Sequence, residues 1–441
     1  MLNEAKAKKI TKRVLGLKTV DELGVRIESR TAGNTRFARN EVTTNGDVET
    51  LSVTVEATQA GRTATVRGSA VDDAALAQLV KDAEALAALA PVDPEHMPPL
   101  GPQNYGKSTI YDNASAKLDA ADRVARVESP VTRGRAETLQ ASGFFANEVR
   151  AVALANSAGA FCFEASTEAS LSSTFRTLDG SGSGRAVAVS HAIGNIDAAA
   201  VAQRAADKAA RSANPRDLDP GDYTVILEPQ AVWDLMSFLL YSMSSRAAQE
   251  GRSWFSAGGG QTKLGRKLFS DSIHLFSDPG DADNPASVVS PDGQPQLPRT
   301  WIRDGVLETL TRTRYWAKAQ KAEAVPAPSS LHLEGSKTSL DALVSGVQRG
   351  VLVTRFWYNR MLEPRSILAT GLTRDGTFWV ENGKISHAVK NFRYNDSPLT
   401  LLTKVRALGA AQRVETRGGL VAVMPSMVVD GFHFESRSDA V

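Results

Sequence analysis

Two consecutive segments of the chain each contain strand-like runs and an amphipathic helix, and this repeated order limits the possible folds. In the first segment, runs rich in Val and Thr precede a helix that Asp72 caps. Its predicted apolar face consists of Leu76, Leu79, Val80, Ala83 and Leu86. In the second segment, similar runs precede an Ala-rich helix. We therefore predict two α/β-type units of strands plus covering helices, at residues 1–90 and 113–219, joined by a Pro-rich linker at 91–112.

The remaining residues, 220–441, follow a different pattern, with one long helix among hairpins. Pro229 begins a periodic helix that we expect to extend over about residues 229–250. Pairs typical of tight type I′ turns lie between strand-like runs. These pairs are Asp304-Gly305, Asp375-Gly376 and Asn382-Gly383. We predict a mainly antiparallel sheet or open barrel around the central helix, which places the whole chain in the α+β class.

Composition and charge exclude several classes of protein. The 51 Lys and Arg residues nearly balance the 49 Asp and Glu residues, so the net charge of +2 argues against a nucleic-acid partner. The N-terminal residues are charged and lack the apolar core of a secretory signal, and the apolar stretch at 235–243 is too short to cross a membrane. We expect a cytoplasmic protein without a membrane partner. The single cysteine, Cys162, excludes an internal disulfide and lies between two phenylalanines, which favours a buried, inert thiol.

Two further patterns suggest sites that their context does not support. Gly101–Ser108 satisfies the phosphate-loop pattern, but the preceding prolines cannot form a central strand and no helical periodicity follows. We interpret this stretch as linker. His332 and Glu334 could share one face of a strand and contribute to a zinc site, although such a site needs a third protein ligand.

Arginines and aromatic residues alternate between Thr354 and Arg365. Arg355, Trp357, Arg360 and Arg365 could stack on bases, clamp a carboxylate or contact a peptide backbone. The other interpretation is a strand followed by an amphipathic loop, and composition alone favours it.

Five stretches, spread over nearly the whole chain, together resemble the modulator-of-gyrase family, whose branches are TldD and PmbA (also called TldE). They occur in the order found in the family. They are residues 34–46 (NTRFARNEVTTNG), 220–229 (PGDYTVILEP), 305–310 (GVLETL), 345–354 (SGVQRGVLVT) and 378–385 (FWVENGKI). The resemblance implies a two-domain α+β fold and assembly into dimers.

The resemblance also implies where a catalytic metal belongs in the TldD branch, whose central helix carries a zinc-binding HExxxH motif. That branch has a cysteine near the C-terminus as a further ligand, and it cleaves unfolded or small peptides together with a TldE partner. Counted from Pro229, the motif positions in this chain are Ser237, Phe238 and Ser242. Serines are not competent zinc ligands and Phe238 cannot act as a general base. The chain therefore resembles the TldE branch, and we expect no catalytic residue, metal or other cofactor in it.

Our leading hypothesis is a non-catalytic subunit of a heteromeric zinc metallopeptidase, whose HExxxH-bearing, TldD-like partner supplies the zinc. Peptide would be held partly by main-chain pairing with sheet edges, and Arg355, Trp357, Arg360 and Arg365 are the candidate substrate-binding residues. The alternative is a stand-alone homodimer that binds peptides without cleaving them. A third hypothesis is an independent enzyme with zinc at His332 and Glu334.

Overall fold

The structure is a computed structural model that describes residues 2–416 and 418–438. The predicted C-terminal range 220–441 thus extends beyond the described residues. The helices are α1 Glu4–Leu15, α2 Asp73–Leu89, α3 Ala120–Ala136, α4 Ala198–Arg211, α5 Pro229–Ser242, α6 Ser245–Gln249, α7 Arg314–Gln320, α8 Leu340–Ser345 and α9 Pro398–Thr403. The strands are β1 Glu22–Ala38, β2 Glu41–Gln59, β3 Arg62–Gly68, β4 Leu139–Asn156, β5 Phe161–Thr177, β6 Ser183–Ser190, β7 Gly221–Leu227, β8 Ser256–Gly258, β9 Gln261–Thr262, β10 Leu275–Ser277, β11 Arg299–Arg303, β12 Val306–Leu307, β13 Ser330–Leu333, β14 Arg349–Glu363, β15 Leu368–Glu381, β16 Lys384–Ala388, β17 Asn391–Asp396, β18 Val405–Val414 and β19 Val421–Ser438.

The two N-terminal segments combine in one antiparallel sheet, in the order β3-β2-β1-β4-β5-β6. The first segment has the order α1, β1, β2, β3, α2, and the second has the order α3, β4, β5, β6, α4. The segments join where β1 pairs with β4, from Gly24 opposite Asn156 to Phe37 opposite Gly143. Helices α1 and α2 bury apolar residues with one half of the sheet, and α3 and α4 do so with the other half. The predicted unit boundaries stay predictions, but one continuous sheet spans both segments.

Aspartates cap three of the four helices that cover this sheet, α2, α3 and α4. The side chain of Asp72 accepts the amide hydrogen of Ala75 at 2.9 Å, as the sequence predicts. Asp197 accepts the amide of Ala200 in the same way at the start of α4. Because a carboxylate both accepts an orphan amide and favours the positive end of the helix dipole, these residues set where the helices begin.

The C-terminal half contains a ring of paired strands, β7-β14-β15-β17-β19, which closes when β19 pairs with β7. The α+β class is confirmed. The sequence predicts a mainly antiparallel sheet or open barrel for this half, and the structure differs in that the ring is closed and that β14 pairs parallel to β7. The reason is the length of β19, which bends at a bulge between Val429 and Phe432 and so pairs with several strands. The bulge contains Gly431 at a φ of 63°, which a glycine adopts without strain. Helix α5 packs its apolar face into the core of this barrel.

The central helix is shorter than the sequence predicts. It begins at Pro229 as expected but ends at Ser242, and a separate turn, α6, follows after Ser244 caps it. The break is stabilised by Thr311, whose amide and hydroxyl both donate to the carbonyl of Met243 at 2.8 Å. This tertiary contact is not visible in the periodicity of the sequence.

Two of the three predicted tight turns occur. Asp304 and Asn382 each adopt positive φ, 49° and 50°, at turns that join β11 to β12 and β15 to β16. The prediction at Asp375-Gly376 is wrong, because both residues lie inside β15, with φ of 59° and 125°. There the positive φ values belong to an irregularity in the strand pairing that turns Asp375 toward buried partners.

The Pro-rich segment at 91–112 is tied to both halves of the chain. Asn156 donates to the carbonyl of Leu100 at 2.9 Å, and the Tyr105 hydroxyl donates to the carbonyl of Gly293 at 2.8 Å. In this fully described segment, no helix begins at Lys107, so the context that a phosphate loop requires is missing. Within the described ranges, every helix is too short or too polar to cross a lipid bilayer.

Candidate functional site

Helix α5 presents one partly exposed stripe, opposite its buried face. This α5 stripe consists of Gln230, Asp234, Ser237 and Tyr241, spaced three to four residues apart, and of Phe238 next to Ser237. The opposite side is fully buried in the barrel core through Ala231, Val232, Leu235, Met236 and Leu239. Because helical spacing aligns such positions along one line, the stripe runs from the start of the helix almost to its end.

The serines at the predicted motif positions bond to the backbone of their own helix. Ser237 Oγ donates to the carbonyl of Asp234 at 3.3 Å, and Ser242 Oγ donates to the carbonyl of Phe238 at 2.9 Å. Phe238 packs against the barrel core. Hydroxyls committed to i−3 and i−4 carbonyls, together with a benzyl ring, do not fit the nitrogen and carboxylate ligands of catalytic zinc. Among the described residues, no three His, Cys, Asp or Glu side chains come together to hold a metal ion.

Asp234 links the α5 stripe to β14. Its Oδ2 accepts the amide hydrogen of Phe356 at 2.8 Å, and its Oδ1 accepts from Gln230 Nε2 at 3.0 Å. Burial raises the pKa of Asp234 to about 6, despite these hydrogen bonds and the nearby Arg355 guanidinium. The carboxyl group therefore changes charge at mildly acidic pH.

A cleft with an empty volume of about 550 Å³ lies where the N-terminus of α5 meets the N-terminal sheet. We call it the basic cleft. Its walls come from β6 and α4 on one side and from β14 and β18 on the other. The charged residues that line it are Arg185, Arg204, Lys208, Arg355 and Arg413, with Glu228 and Glu415.

Carboxylates pair with four of the five cations. Two pairs lie within the lining itself, between Lys208 Nζ and Glu228 Oε2 and between Arg185 Nη2 and Glu415 Oε2, each at 2.7 Å. Arg204 is exposed and forms no ion pair with any side chain in the described ranges.

In each of the other two pairs the arginine is buried. Arg413 Nη2 is 3.2 Å from Glu168 Oε2, and Arg355 Nε is 3.3 Å from Asp375 Oδ2. Burial lowers the pKa of Arg413 and of Arg355, so water is partly excluded from these two guanidinium groups.

The structure separates the four residues that we predict to bind substrate. Arg355 lies in the basic cleft and its guanidinium stacks on the half-exposed Trp357 ring at 4.5 Å. Arg360 stacks instead on Tyr358, at 4.6 Å, further along the hairpin. Arg365 is exposed in the connection between β14 and β15. Only Arg355 of the four lines the cleft, and the role of all four in binding substrate stays a prediction.

Two other candidates are placed apart from the α5 stripe. His332 is buried against Phe276, and its Nδ1 lies 3.6 Å from Asp281 Oδ2. Glu334 is exposed and lies just beyond the end of β13, so it does not share a strand face with His332. Cys162 is buried in β5, and burial raises the pKa of its thiol to about 11, which makes it a poor nucleophile.

The sequence interpretation missed most of the basic cleft. Arg185 is the only charged residue of β6, and Arg413 lies seven positions after Arg406, the other charged residue of β18, so nothing local marks them. One sequence pattern does point to the cleft. Arg204 and Lys208 are four residues apart on α4, a spacing at which like charges repel each other. Such a pair on an otherwise Ala-rich helix suggests a surface that attracts anions.

Comparisons with known proteins agree with this fold. Structures of two proteins described as modulators of DNA gyrase match over their whole length. The one from Thermotoga maritima has a TM-score of 0.84 and 18% identity over 97% of this chain, and the one from Bacteroides thetaiotaomicron has a TM-score of 0.85 and 19% identity over 99%. TldE from Thermococcus kodakarensis matches with a TM-score of 0.83 and 16% identity, over 98% of this chain and 99% of its own.

Family models cover most of the sequence. The PmbA/TldA metallopeptidase central domain matches residues 105–213, and the C-terminal domain of the same name matches residues 220–436. No curated protein sequence matches the chain significantly. Because the two domain matches are consecutive and together span most of the chain, this protein belongs to the TldD/PmbA family.

Proposed function

We propose that this chain is a non-catalytic, TldE-like subunit of a heteromeric zinc metallopeptidase that acts on unfolded or small peptides. The observation that carries the proposal is the state of the motif positions on α5. The hydroxyls of Ser237 and Ser242 donate hydrogen bonds to carbonyls of their own helix, and Phe238 packs against the core. A zinc ion and a general base would then come from an HExxxH-bearing partner.

Peptide binding in this proposal is supported by the edge of β14. Strand β7 pairs with β14 only from Val351 to Val353, so β14 continues past the end of its neighbour. From Trp357 to Glu363 its outer edge has no strand partner in the part of the chain that the structure describes. An open edge can pair with the main chain of an extended peptide whatever its side chains are. The half-exposed Trp357 ring lies beside this edge.

The experiment is co-expression of this chain with an HExxxH-bearing relative, followed by purification through a tag on this chain. We expect a stable complex that cleaves an unfolded test peptide, as followed by mass spectrometry, and no cleavage by this chain alone. The matched control carries a Glu-to-Gln change in the partner's HExxxH motif, which leaves assembly intact and removes the general base. Cleavage by the complex that survives this change would contradict the proposal.

The alternative is a stand-alone homodimer that binds peptides without cleaving them. Light scattering of this chain mixed with the HExxxH-bearing relative discriminates between the two hypotheses. A homodimer of this chain that forms no complex with the relative would favour the alternative. A cytoplasmic location is part of the leading proposal.

A further inference from the structure

We infer that the basic cleft binds a carboxylate group of the peptide, and in particular the α-carboxylate at the C-terminus of a short peptide. This inference rests on the proposed function, because it names the chemical group by which this subunit would hold the peptide. The cleft would then act as an anchor at one end of the substrate, while the reacting bond lies elsewhere.

The first support is the number of arginine donors that remain unused. Each guanidinium carries five N–H donors. The Arg413 side chain is 9% exposed, and its Nη1 is buried with no hydrogen-bond partner among the described residues. Arg355, whose residue is 8% exposed, approaches Asp375 through Nε, outside hydrogen-bond geometry. Spare donors on rigid, partly desolvated guanidinium groups suit a carboxylate, which accepts two parallel N–H groups.

The second support is the start of α5, which forms part of the same cleft through Pro229 and Gln230. This helix has 14 residues, and its N-cap residue, Glu228, makes no side-chain hydrogen bond to the first turn in the described chain. Glu228 instead accepts from Lys208 and from Thr354. The first turn of α5 therefore has no side-chain cap from Glu228, and the positive end of the helix dipole adds to the field of the cations.

The third support is the balance of charge around the cleft. Four cations have carboxylate partners, and Arg204 is the cation left over at the exposed rim. Burial also lowers the pKa of Arg355 and Arg413, so these two charges are partly desolvated. An incoming anion relieves this imbalance, and its attraction to the cleft weakens as added salt screens the rim.

The test is a titration of the full-length chain with a tetra-alanine peptide that carries an N-terminal fluorophore, read by fluorescence anisotropy. The same peptide with a C-terminal amide is the matched probe. We expect the free acid to bind about tenfold or more tightly than the amide, in line with the worth of a charge-assisted hydrogen bond. Equal affinities for the two peptides would overturn the inference. Strong competition by inorganic phosphate but not by acetate would overturn it too, since it would indicate a phosphate site.

Variants separate binding from folding. Arg204→Gln removes the exposed, unpaired cation and should weaken binding of the acid several-fold without changing thermal stability. Arg211→Gln is the control, because Arg211 is exposed on the same helix and does not line the cleft. Arg413→Gln should abolish the preference for the acid. If Arg413→Gln also lowers stability, the Arg204→Gln variant still tests the inference. Equal effects of Arg204→Gln and Arg211→Gln on binding of the free acid would contradict it.

Because this binding test uses the isolated chain, its failure is distinguishable from failure of the proposed function. Loss of the acid preference would leave the subunit role standing. Absence of a complex with an HExxxH-bearing relative, with the acid preference intact, would contradict the subunit role and retain the carboxylate site.

Discussion

Arg355 and Asp375 form a buried ion pair across the β14–β15 hairpin, with 3.3 Å between Nε and Oδ2. The other carboxylate oxygen of Asp375, Oδ1, accepts from the hydroxyl of Ser183 in β6 at 2.7 Å. Asp375 therefore contacts the N-terminal sheet and the barrel at once. The pair also holds the Arg355 guanidinium at the wall of the basic cleft.

Replacing Asp375 by Asn should lower the free energy of unfolding by about 3 kcal/mol, because it leaves the buried Arg355 charge without its partner. Asn keeps the size of the side chain and tolerates the φ of 59° at this position. Urea unfolding of the purified chain measures the change. The double variant Arg355→Gln/Asp375→Asn should lose less than the sum of the single variants. Strict additivity would show that the two side chains do not interact.

Asp234 should make the stability of the barrel depend on pH. Its folded pKa of about 6 lies above the ordinary aspartate value, so the folded state holds a proton that the unfolded state releases. Stability from this group is complete below pH about 4 and is lost as the pH rises through about 6. Unfolding by urea at pH 4.5 and at pH 7 should show a loss of roughly 2–3 kcal/mol attributable to this group. In Asp234→Asn this contribution disappears, and an unchanged pH slope in the variant would contradict the assignment.

The double substitution Ser237→Ala/Ser242→Ala should leave both stability and the activity of the assembled complex nearly unchanged. Hydroxyls that bond back to helix carbonyls contribute little, and Ala has the higher helix propensity, so the stability should change by less than about 0.5 kcal/mol at each site. Thermal unfolding and peptide cleavage by the complex are the measurements. A large loss of activity with normal stability would mean that these hydroxyls take part in the reaction.

Glu95 should protect the Pro-rich segment from proteolysis. Its carboxylate accepts two hydrogen bonds from the Arg246 guanidinium, each at 2.7 Å, and so ties residues 91–112 to α6. Glu95→Ala should speed cleavage within this segment, as limited proteolysis and mass spectrometry would detect. Glu250→Ala is the control. Glu250 also accepts a hydrogen bond from Arg246, but it lies at the end of α6 and so does not connect α6 to the Pro-rich segment. Equal cleavage rates in both variants would mean that the tie does not restrain the segment.

Much of the fold could be predicted from local patterns, because caps and periodicity act over a few residues. Asp72 caps α2 as expected, and Leu76, Leu79, Val80 and Ala83 are buried. Leu86 is 49% exposed, because the buried stripe continues through Ala87 instead. The pairing of β1 with β4, which merges the two segments into one sheet, depends on contacts about 120 residues apart and leaves no local trace.

The candidate site was harder to predict, because its residues meet only in the folded chain. The expected motif positions on α5 were assigned by counting from Pro229, since a helix preserves spacing, and this assignment stays a prediction. Asp375-Gly376 has the sequence of a hairpin turn, yet it lies within β15. There Arg355 and Ser183 contact the Asp375 carboxylate and hold it in place. The basic cleft combines residues from β6, α4, β14 and β18, and only Arg355 was singled out beforehand.

The most direct test of the central claim is the zinc content of this chain, purified alone and in complex with an HExxxH-bearing relative, by inductively coupled plasma mass spectrometry. We expect the isolated chain to retain no stoichiometric zinc after dialysis, because Ser237, Phe238 and Ser242 offer no competent ligands. The complex should contain zinc in proportion to the partner. One zinc per chain in the isolated protein, lost when the α5 serines are replaced by Ala, would contradict the account.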